Sequence, residues 1–430
     1  MNENNTNRPI KSRKFKLILS LVIALIVIVS FVGGYFSYYL INRKSVTVAS
    51  DLARIMQDVG YIVDPQTGEV REITEEEIAY ALVNAFLDEY SAYFTAEEYK
   101  EKRAQDKGSR AGVGVSFYTE EPIVGKVAGN SPAFKAGIKA GDIILSGKVG
   151  EKEQTFENST QVVQFMIDAN GLEMTLTADR NGEEKQFTLT ESEYITSYIT
   201  YFDSEKELHF ESDIPSGKPT AKICDGGMLE LDESTAYIRL DQFEGDASEQ
   251  LDGALSFMKE RGRSKLVLDL RNNGGGSMTV LEDVASLLIY NDGKDRFPIA
   301  VAKGKKDKEV FKTGRNAFYD NVTGIAVLAN ERSASASECL IGAMLCYGGQ
   351  FSGDRLIIEK NDGGIAKTYG KGIMQTTYML ITGGAFKLTT ARVFWPNDET
   401  CIHGKGIYPT AVNAVESKDA ISRAVQTLKD

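Results

Sequence analysis

The chain has 430 residues, of which 42% are apolar and 26% are charged, as in ordinary globular proteins, and its length allows more than one domain. The formal net charge of −12 argues against nucleic-acid binding, because nothing offsets phosphate repulsion. Only two histidines are present, His209 and His403, and the four cysteines show no C-x-x-C spacing, so the usual zinc ligand sets are nearly excluded and no metal site is predicted.

An uncharged apolar run over residues 17–41 is long enough to span the core of a bilayer. Basic residues are concentrated before this run and few follow it, which predicts a cytoplasmic tail over 1–16, a transmembrane helix over 17–41 and a large part outside the membrane. The expected location is therefore the cell membrane, with a single pass. A cleaved signal peptide is the alternative, although the run exceeds a typical h-region and no clear A-x-A site follows.

Residues 50–107 are predicted to form a helical region. Apolar residues recur at helical spacing in "EEEIAYALVNAFLDEYSAYF". Thr95 and Glu98 match a capping box that would start a second helix. The polar stretch over 103–110 is predicted to be a linker.

Residues 108–193 change to short strands, with a short helix, an amphipathic helix and a hairpin around Asn181-Gly182. This order, together with "NSPAFKAGIKAGDIIL", resembles a PDZ domain, and "GVGV" stands where such domains bind a peptide carboxylate. The residues of this loop are Gly112, Val113, Gly114 and Val115. The resemblance implies capture of an extended peptide C-terminus by strand addition. The alternative is a small β-domain whose groove is filled.

Residues 195–235 are strand-like but irregular, and 213–227 within them is predicted to be a connection. After this part the chain follows an α/β pattern. The apolar strands "TAYIRLDQF", "KLVLDL" and "GIAVLAN" alternate with amphipathic helices. This alternation predicts a mostly parallel sheet, with functional sites at the carboxyl ends of its strands.

Three serines, Ser333, Ser335 and Ser337, follow the strand "GIAVLAN" and precede a helix. A nucleophile on such a turn is exposed at the sheet edge, beside the free N–H groups of the helix start, which can hold an oxyanion. Ser335 and Glu338 also match an S-x-x-E capping box. Taken alone, the turn is therefore better explained as a helix cap.

Two loops contain the other groups that a serine hydrolase without histidine needs. Lys371 lies between two glycines, where burial can keep a lysine neutral as a base, and Gln375 can orient its amine. The loop "RNNGGGS" can present a backbone N–H to a reacting carbonyl, and it matches neither a P-loop nor a dinucleotide fingerprint. Taken alone, these loops are explained by a solvated lysine and a tight β–α turn.

Taken together, the motifs resemble the carboxyl-terminal processing protease family, also called tail-specific proteases, in a membrane-anchored form with a PDZ domain. The resemblance rests on "DEYSAYFTAEEY", the PDZ-like segment, "YIRLDQF", "LDLRNNGGG", "NERSASASE", "YGKGIMQ" and "LTTARVFWPN…HGKGIYPT". It implies a multidomain α/β (α+β) protein, with a PDZ domain over 108–193 and a serine-protease domain of the tail-specific, ClpP/crotonase-like type over 194–430.

The same resemblance implies a serine endopeptidase with a Ser-Lys dyad. Ser335 would be the nucleophile, Lys371 the general base and Gln375 its assistant, and the N–H groups of Ala336 and Gly275 would form the oxyanion hole. The substrates would be proteins with free C-termini, cleaved at the outer face of the cytoplasmic membrane without a metal or other cofactor. A homo-oligomer is compatible with this interpretation.

Two features depart from the family pattern. Arg332 stands where a glycine is usual, and the segment between Ser335 and Lys371 is longer than usual. The extra length lies within 355–368, which we expect to form a hairpin or lid beside the site. Two alternatives stay open: a membrane-anchored PDZ scaffold with an inactive protease domain, and a conventional hydrolase with His403 as its base.

Overall fold

The computed structural model describes residues 73–212, 219–289, 295–314, 318–397 and 399–429, together with residues 30, 55–56, 62–63 and 70–71. The chain divides into two compact units, residues 1–89 and 90–430. The predicted tail over 1–16 and transmembrane helix over 17–41 lie outside the described residues, apart from residue 30. Within the described ranges, no helix has the length and apolar character needed to cross a membrane.

The first unit contains a short hairpin and a helix. Strands β1 (Ile62–Val63) and β2 (Val70–Arg71) pair antiparallel, and helix α1 spans Glu75–Phe86. A capping box starts α1, because the Glu77 N–H donates to the Thr74 hydroxyl at 3.1 Å and the Thr74 N–H donates to the Glu77 carboxylate at 2.9 Å. The helix predicted here from apolar spacing is confirmed.

The second unit begins with strand β3 (Ala92–Phe94) and helix α2 (Ala96–Asp106). The predicted capping box at the start of α2 is confirmed, with reciprocal hydrogen bonds of 2.8 and 3.2 Å between Thr95 and Glu98. The apolar spacing predicts a helix through Phe94, and this is wrong, because β3 pairs with residues 385–387 far along the chain. The predicted linker over 103–110 is also wrong, since α2 continues into it as far as Asp106 and a strand begins at Ser109.

Residues 109–195 fold around a hydrophobic core of their own. Their elements are strands β4 (Ser109–Gly112), β5 (Val115–Phe117), β6 (Val124–Val127), β7 (Ile143–Val149), β8 (Lys152–Thr155), β9 (Met174–Arg180), β10 (Glu183–Leu189) and β11 (Ser192–Ile195), and helices α3 (Pro132–Ala136) and α4 (Ser159–Ala169). Strand β11 pairs with β4, so the two ends of this segment meet. The predicted hairpin is confirmed: Asn181 and Gly182, with φ of 57° and 86°, join β9 to β10 in the conformation that a two-residue turn needs.

The C-terminal part is an α/β domain. Its strands are β12 (Ile199–Phe202), β13 (Lys206–Ser212), β14 (Pro219–Asp225), β15 (Thr235–Leu240), β16 (Lys265–Asp269), β17 (Pro298–Gly304), β18 (Lys308–Lys312), β19 (Gly324–Ala329), β20 (Leu356–Glu359), β21 (Ile373–Met379), β22 (Ala385–Phe394) and β23 (Ala414–Val415), and its helices are α5 (Ala247–Glu260), α6 (Met278–Leu288), α7 (Ala336–Tyr347) and α8 (Ala420–Thr427). Eight strands form the central sheet in the order β14-β13-β12-β15-β16-β19-β20-β23. The run from β15 to β23 is parallel, as predicted, and the other strands are antiparallel.

Both faces of the central sheet are covered. On β16, Leu266 and Leu268 pack into the cluster that contains α5, α6 and α7, whereas Val267 packs into the cluster that contains α8. A strand covered on both faces needs apolar residues on both sides, and this explains the unbroken apolar run Leu266–Leu268 inside "KLVLDL".

A second sheet contains β18, β17, β22 and β21 in that order, with β3 also paired to β22. Two expectations about the connecting segments are wrong. The sequence predicts a hairpin or lid over 355–368. The first part of this segment forms neither, because Leu356–Glu359 is strand β20 inside the central sheet. The predicted connection over 213–227 contains strand β14, which pairs with β13.

Candidate active site

The turn between β19 and α7 is strained at Ser335. This residue immediately precedes α7 and has φ 56° and ψ −113°, a conformation that is costly for any residue with a side chain. Such strain persists only where the surroundings impose it, and a sharp strained turn from strand to helix is one way to expose a nucleophilic hydroxyl. Ser335 therefore has the backbone of a positioned nucleophile as well as the location of a helix cap.

The three serines of the turn have different surroundings. The buried Ser333 hydroxyl donates to the Leu270 carbonyl at 2.8 Å, and the buried Ser337 hydroxyl donates to the Asn273 carbonyl at 2.9 Å. Both bonds attach the turn to the loop that follows β16. Ser335 is only half-buried and lines an open cavity, so its hydroxyl is the one that a substrate can reach.

The glycine loop after β16 packs directly against Ser335. A Cβ on Gly275 would lie 2.8 Å from the Ser335 Cβ and 2.9 Å from the Ala336 nitrogen, and its φ of 100° also requires glycine. The Ala336 N–H has no hydrogen-bond partner in the described parts of the chain, whereas the Gly275 N–H donates to the Asn273 side-chain oxygen at 2.9 Å. The oxyanion hole of Ala336 and Gly275 stays a prediction, with one donor free and one engaged in this structure.

The buried carboxylate of Glu338 joins the serine turn to the lysine loop. It accepts hydrogen bonds from the N–H groups of Ser335 (3.0 Å), Gly370 (2.8 Å) and Lys371 (2.9 Å) and from the Thr368 hydroxyl (2.5 Å). Burial raises the pKa of Glu338 above its usual value, although these hydrogen bonds act in the opposite direction. Because one side chain binds both backbones, it fixes the serine turn and the lysine loop relative to each other. The sequence shows this residue only as part of a capping box.

Lys371 is half-buried in the loop before β21, with its ammonium nitrogen 4.8 Å from the centre of the Tyr90 ring, within cation–π distance. The Tyr90 and Tyr369 hydroxyls are hydrogen-bonded at 3.1 Å. Gln375, on β21, donates its side-chain amide to the Thr389 hydroxyl at 3.1 Å. The predicted assistance of Lys371 by Gln375 stays a prediction.

Ser335, Lys371, Gln375 and Gly275 line one open cavity of about 1120 Å³, here called the catalytic cavity. This volume exceeds that of a usual small-ligand site and leaves room for a polypeptide. Its apolar lining includes Met278, Val280, Phe311, Ile373, Met374 and Val393. The fold thus brings together residues that the sequence places on three separate loops.

Neither histidine lines the catalytic cavity. The His209 ring packs edge-on against Phe134, with ring centres 5.3 Å apart. The backbone of His403 lies against Gly372, and its buried Nδ1 has no hydrogen-bond partner in the residues described. In the described ranges there is also no cluster of three or more side chains suited to hold a metal ion.

The predicted peptide-binding loop lines a second cavity of about 730 Å³, here called the peptide groove. The loop residues Gly112, Val113, Gly114 and Val115 all lie along it. The carbonyls of Val113 and Gly114 accept hydrogen bonds of 2.9 and 2.8 Å from residues of the same segment, whereas their N–H groups have no partner among the described residues. Gly114 cannot be replaced without strain, because its Cβ would lie 2.2 Å from the Ser131 Cβ. The loop that lines the groove therefore contains two backbone N–H donors without an acceptor among the described residues.

Residues 234–412 match the model of Peptidase family S41. A Staphylococcus epidermidis protein described as "Probable CtpA-like serine protease" is 30% identical over 331 residues, which cover 76% of this chain and 58% of that protein. A Staphylococcus aureus protein of the same description is 29% identical over 331 residues with the same coverage. The chain thus spans 58% of the length of these curated relatives.

Two solved structures show weaker likeness. The photosystem II D1 C-terminal processing protease is 22% identical, with 79% of this chain and 82% of that chain covered and a TM-score of 0.44. Mature CPAF is 11% identical, with 90% and 96% covered and a TM-score of 0.35.

The segment that matches Peptidase family S41 contains Ser335, Lys371, Gln375 and Gly275. The fold is that of an α/β domain, and residues 234–412 within it resemble Peptidase family S41. Proteins described as CtpA-like serine proteases are among the relatives of this chain.

Proposed function

We propose that the protein is a serine endopeptidase with Ser335 as its nucleophile and Lys371 as its general base. The observation that carries this proposal is the strained Ser335 turn, which Glu338 links to the backbone of Lys371 at the wall of one open cavity. The match of residues 234–412 to Peptidase family S41 supports the same chemistry. Since His403 does not line the cavity, a lysine base is favoured over a histidine base.

In the proposed reaction, neutral Lys371 takes the proton of the Ser335 hydroxyl as its oxygen attacks the scissile carbonyl. The N–H groups of Ala336 and Gly275 would stabilise the oxyanion of the tetrahedral intermediate. The lysine ammonium then gives its proton to the leaving amine, and an acyl-enzyme remains on Ser335. Water, deprotonated by Lys371, hydrolyses this ester and restores the enzyme. Gln375 is proposed to orient the lysine amine during these steps.

The substrates proposed are polypeptides with a free C-terminus. The Val113 and Gly114 N–H groups, which have no acceptor among the described residues, support this, because backbone donors lining a groove suit a terminal carboxylate. Exposed apolar side chains of α4 line the same groove, with Ile167 62% exposed and Val163 43% exposed. We extend the proposal to the PDZ assignment of 108–193 and, from the apolar run alone, to a single membrane anchor over 17–41 with the catalytic part outside.

The test uses the full-length chain and an unfolded protein substrate. Ser335→Ala should abolish cleavage, whereas Ser333→Ala and Ser337→Ala should retain it. Ser337→Ala should cost about 1 kcal/mol of stability, and Ser333→Ala about 1–3 kcal/mol, because it also leaves the buried Asn330 N–H without its acceptor. Equal cleavage by wild type and Ser335→Ala would return the turn to the role of a helix cap. An absence of cleavage by the wild-type chain would instead favour the alternative of a PDZ scaffold with an inactive protease domain.

Recognition of the C-terminus is tested separately on the intact chain. Two versions of one peptide substrate are compared, one with a free carboxylate and one amidated. The free acid should be cleaved with the higher kcat/KM. Its negatively charged carboxylate accepts charge-assisted hydrogen bonds from the loop N–H groups, whereas the amidated end is uncharged. Equal rates for the two substrates would contradict capture by the peptide groove and leave the Ser-Lys proposal intact.

A further inference from the structure

The peptide groove and the catalytic cavity adjoin each other. Gln242, which follows β15, and Gly274, in the glycine loop, line both cavities. We call this shared strip, Gln242 and Gly274, the passage. A Cβ on Gly274 would meet no atom within 4 Å, so the space beside it is open. A chain bound in the groove therefore has a direct route past these two residues to Ser335.

Gln242 offers unused hydrogen-bonding groups at the passage. The side chain is half-buried, and neither its amide nor its main-chain N–H and C=O has a hydrogen-bond partner in the described part of the chain. The residues on either side are engaged. The Asp241 N–H donates to the Tyr198 carbonyl at 2.9 Å, and the Phe243 N–H donates to the Gly275 carbonyl at 3.0 Å. The backbone at Gln242 is thus held in place while its own polar groups remain available.

We propose that Gln242 binds the main chain of the substrate where it crosses from the peptide groove to the catalytic cavity. This inference rests on the proposed function and adds a binding residue to it. An extended peptide presents an N–H and a C=O at each residue, with about 3.3 Å between residues. The glutamine amide matches both, since its NH₂ donates to a carbonyl and its oxygen accepts from an N–H. Such contacts do not depend on the side chains of the substrate, so Gln242 would hold any extended sequence in register with Ser335.

The experiment measures binding in the full-length Ser335→Ala chain, so that cleavage does not interfere. Two fluorescent peptides share the same free C-terminus. One has about 5 residues, roughly 17 Å when extended, and fills the groove alone, whereas the other has about 14 residues, roughly 46 Å, and continues through the passage. Dissociation constants are measured by anisotropy for Ser335→Ala alone and combined with Gln242→Ala. The matched control is Gln186→Ala, which removes an exposed glutamine of β10 that lines neither cavity.

Gln242→Ala should weaken binding of the long peptide about 3- to 10-fold, the effect of one or two lost hydrogen bonds, and leave the short peptide unchanged. Gln186→Ala should change neither. If Gln242 has a purely structural role, Gln242→Ala would raise the dissociation constants of both peptides by the same factor, and that result overturns the inference. Unchanged binding of the long peptide, or binding of neither peptide to Ser335→Ala, also overturns it. Failure of the proposed protease function would appear elsewhere, as an absence of cleavage by the chain with Ser335 intact.

Discussion

Replacing Glu338 with glutamine should damage both stability and catalysis. The change keeps the size of the side chain and replaces one carboxylate oxygen with an NH₂ group. One oxygen now accepts from the Thr368 hydroxyl and the Gly370 N–H, and the other accepts from the N–H groups of Ser335 and Lys371. Whichever oxygen is replaced, two donors lose their acceptor and face a third donor.

The magnitude follows from these contacts. Each buried donor without a partner costs about 1–3 kcal/mol, so two predict a loss of about 2–6 kcal/mol in the free energy of unfolding. The catalytic loss comes from geometry, because the same bonds hold the serine turn against the lysine loop. A displacement of about 1 Å between reacting groups can reduce the rate roughly 100-fold. We therefore expect kcat to fall by about that factor.

The assay combines urea unfolding with kcat/KM on one unfolded substrate. The matched control is Glu331→Gln in the same turn, whose side chain is 39% exposed and accepts from the Asn361 amide at 2.9 Å. This control should lose no more than about 1 kcal/mol and keep most activity. A Glu338→Gln chain with wild-type stability and wild-type kcat would refute the clamp between the serine turn and the lysine loop.

Three further predictions concern single residues. Lys371→Arg should be as inactive as Lys371→Ala, because arginine keeps the charge but cannot lose its proton, and a Lys371→Arg chain with near-normal turnover would remove the lysine from the role of base. Gly275→Ala should lower kcat at least roughly 100-fold, since its Cβ would lie 2.8 Å from the Ser335 Cβ. The control Gly274→Ala, with open space beside the new Cβ, should cleave a short reporter normally. Similar rates for the two variants would contradict this prediction. Asp203→Asn should cost about 3–5 kcal/mol at pH 7 in urea unfolding, because the fully buried Asp203 is paired with Arg261. Burial acts to raise the pKa of Asp203, but hydrogen bonds from Arg261 and from backbone N–H groups outweigh it and hold this pKa well below its usual value. The stability that Asp203 contributes is therefore present above the unfolded-state pKa near 4 and is lost as the pH falls below it. The difference in free energy of unfolding between wild type and Asp203→Asn should thus shrink on acidification. A difference that stays constant from pH 7 to pH 3 would contradict the ion pair.

Features encoded within a few residues could be predicted from the sequence. The capping box of Thr95 and Glu98, the hairpin at Asn181-Gly182 and the turn from β19 into α7 all depend on neighbours along the chain, where local sterics and hydrogen bonds suffice. Hydrophobic periodicity likewise indicated the α/β order of the C-terminal part. Ser335 and Lys371 were found because the order of their motifs resembles a known family, since neither loop is distinctive by itself.

Features that depend on distant partners were decided only by the tertiary structure. Strand β3 resembles the end of a helix until β22 provides its hydrogen bonds, and β20 resembles a loop until β19 and β23 enclose it. Glu338 is a helix cap in the sequence and a clamp in the fold, because its partners Gly370 and Lys371 lie 32 and 33 residues away. Backbone donors and acceptors are the same at every residue, so the sequence cannot show which of them will meet across the fold, and packing of the whole domain makes that choice.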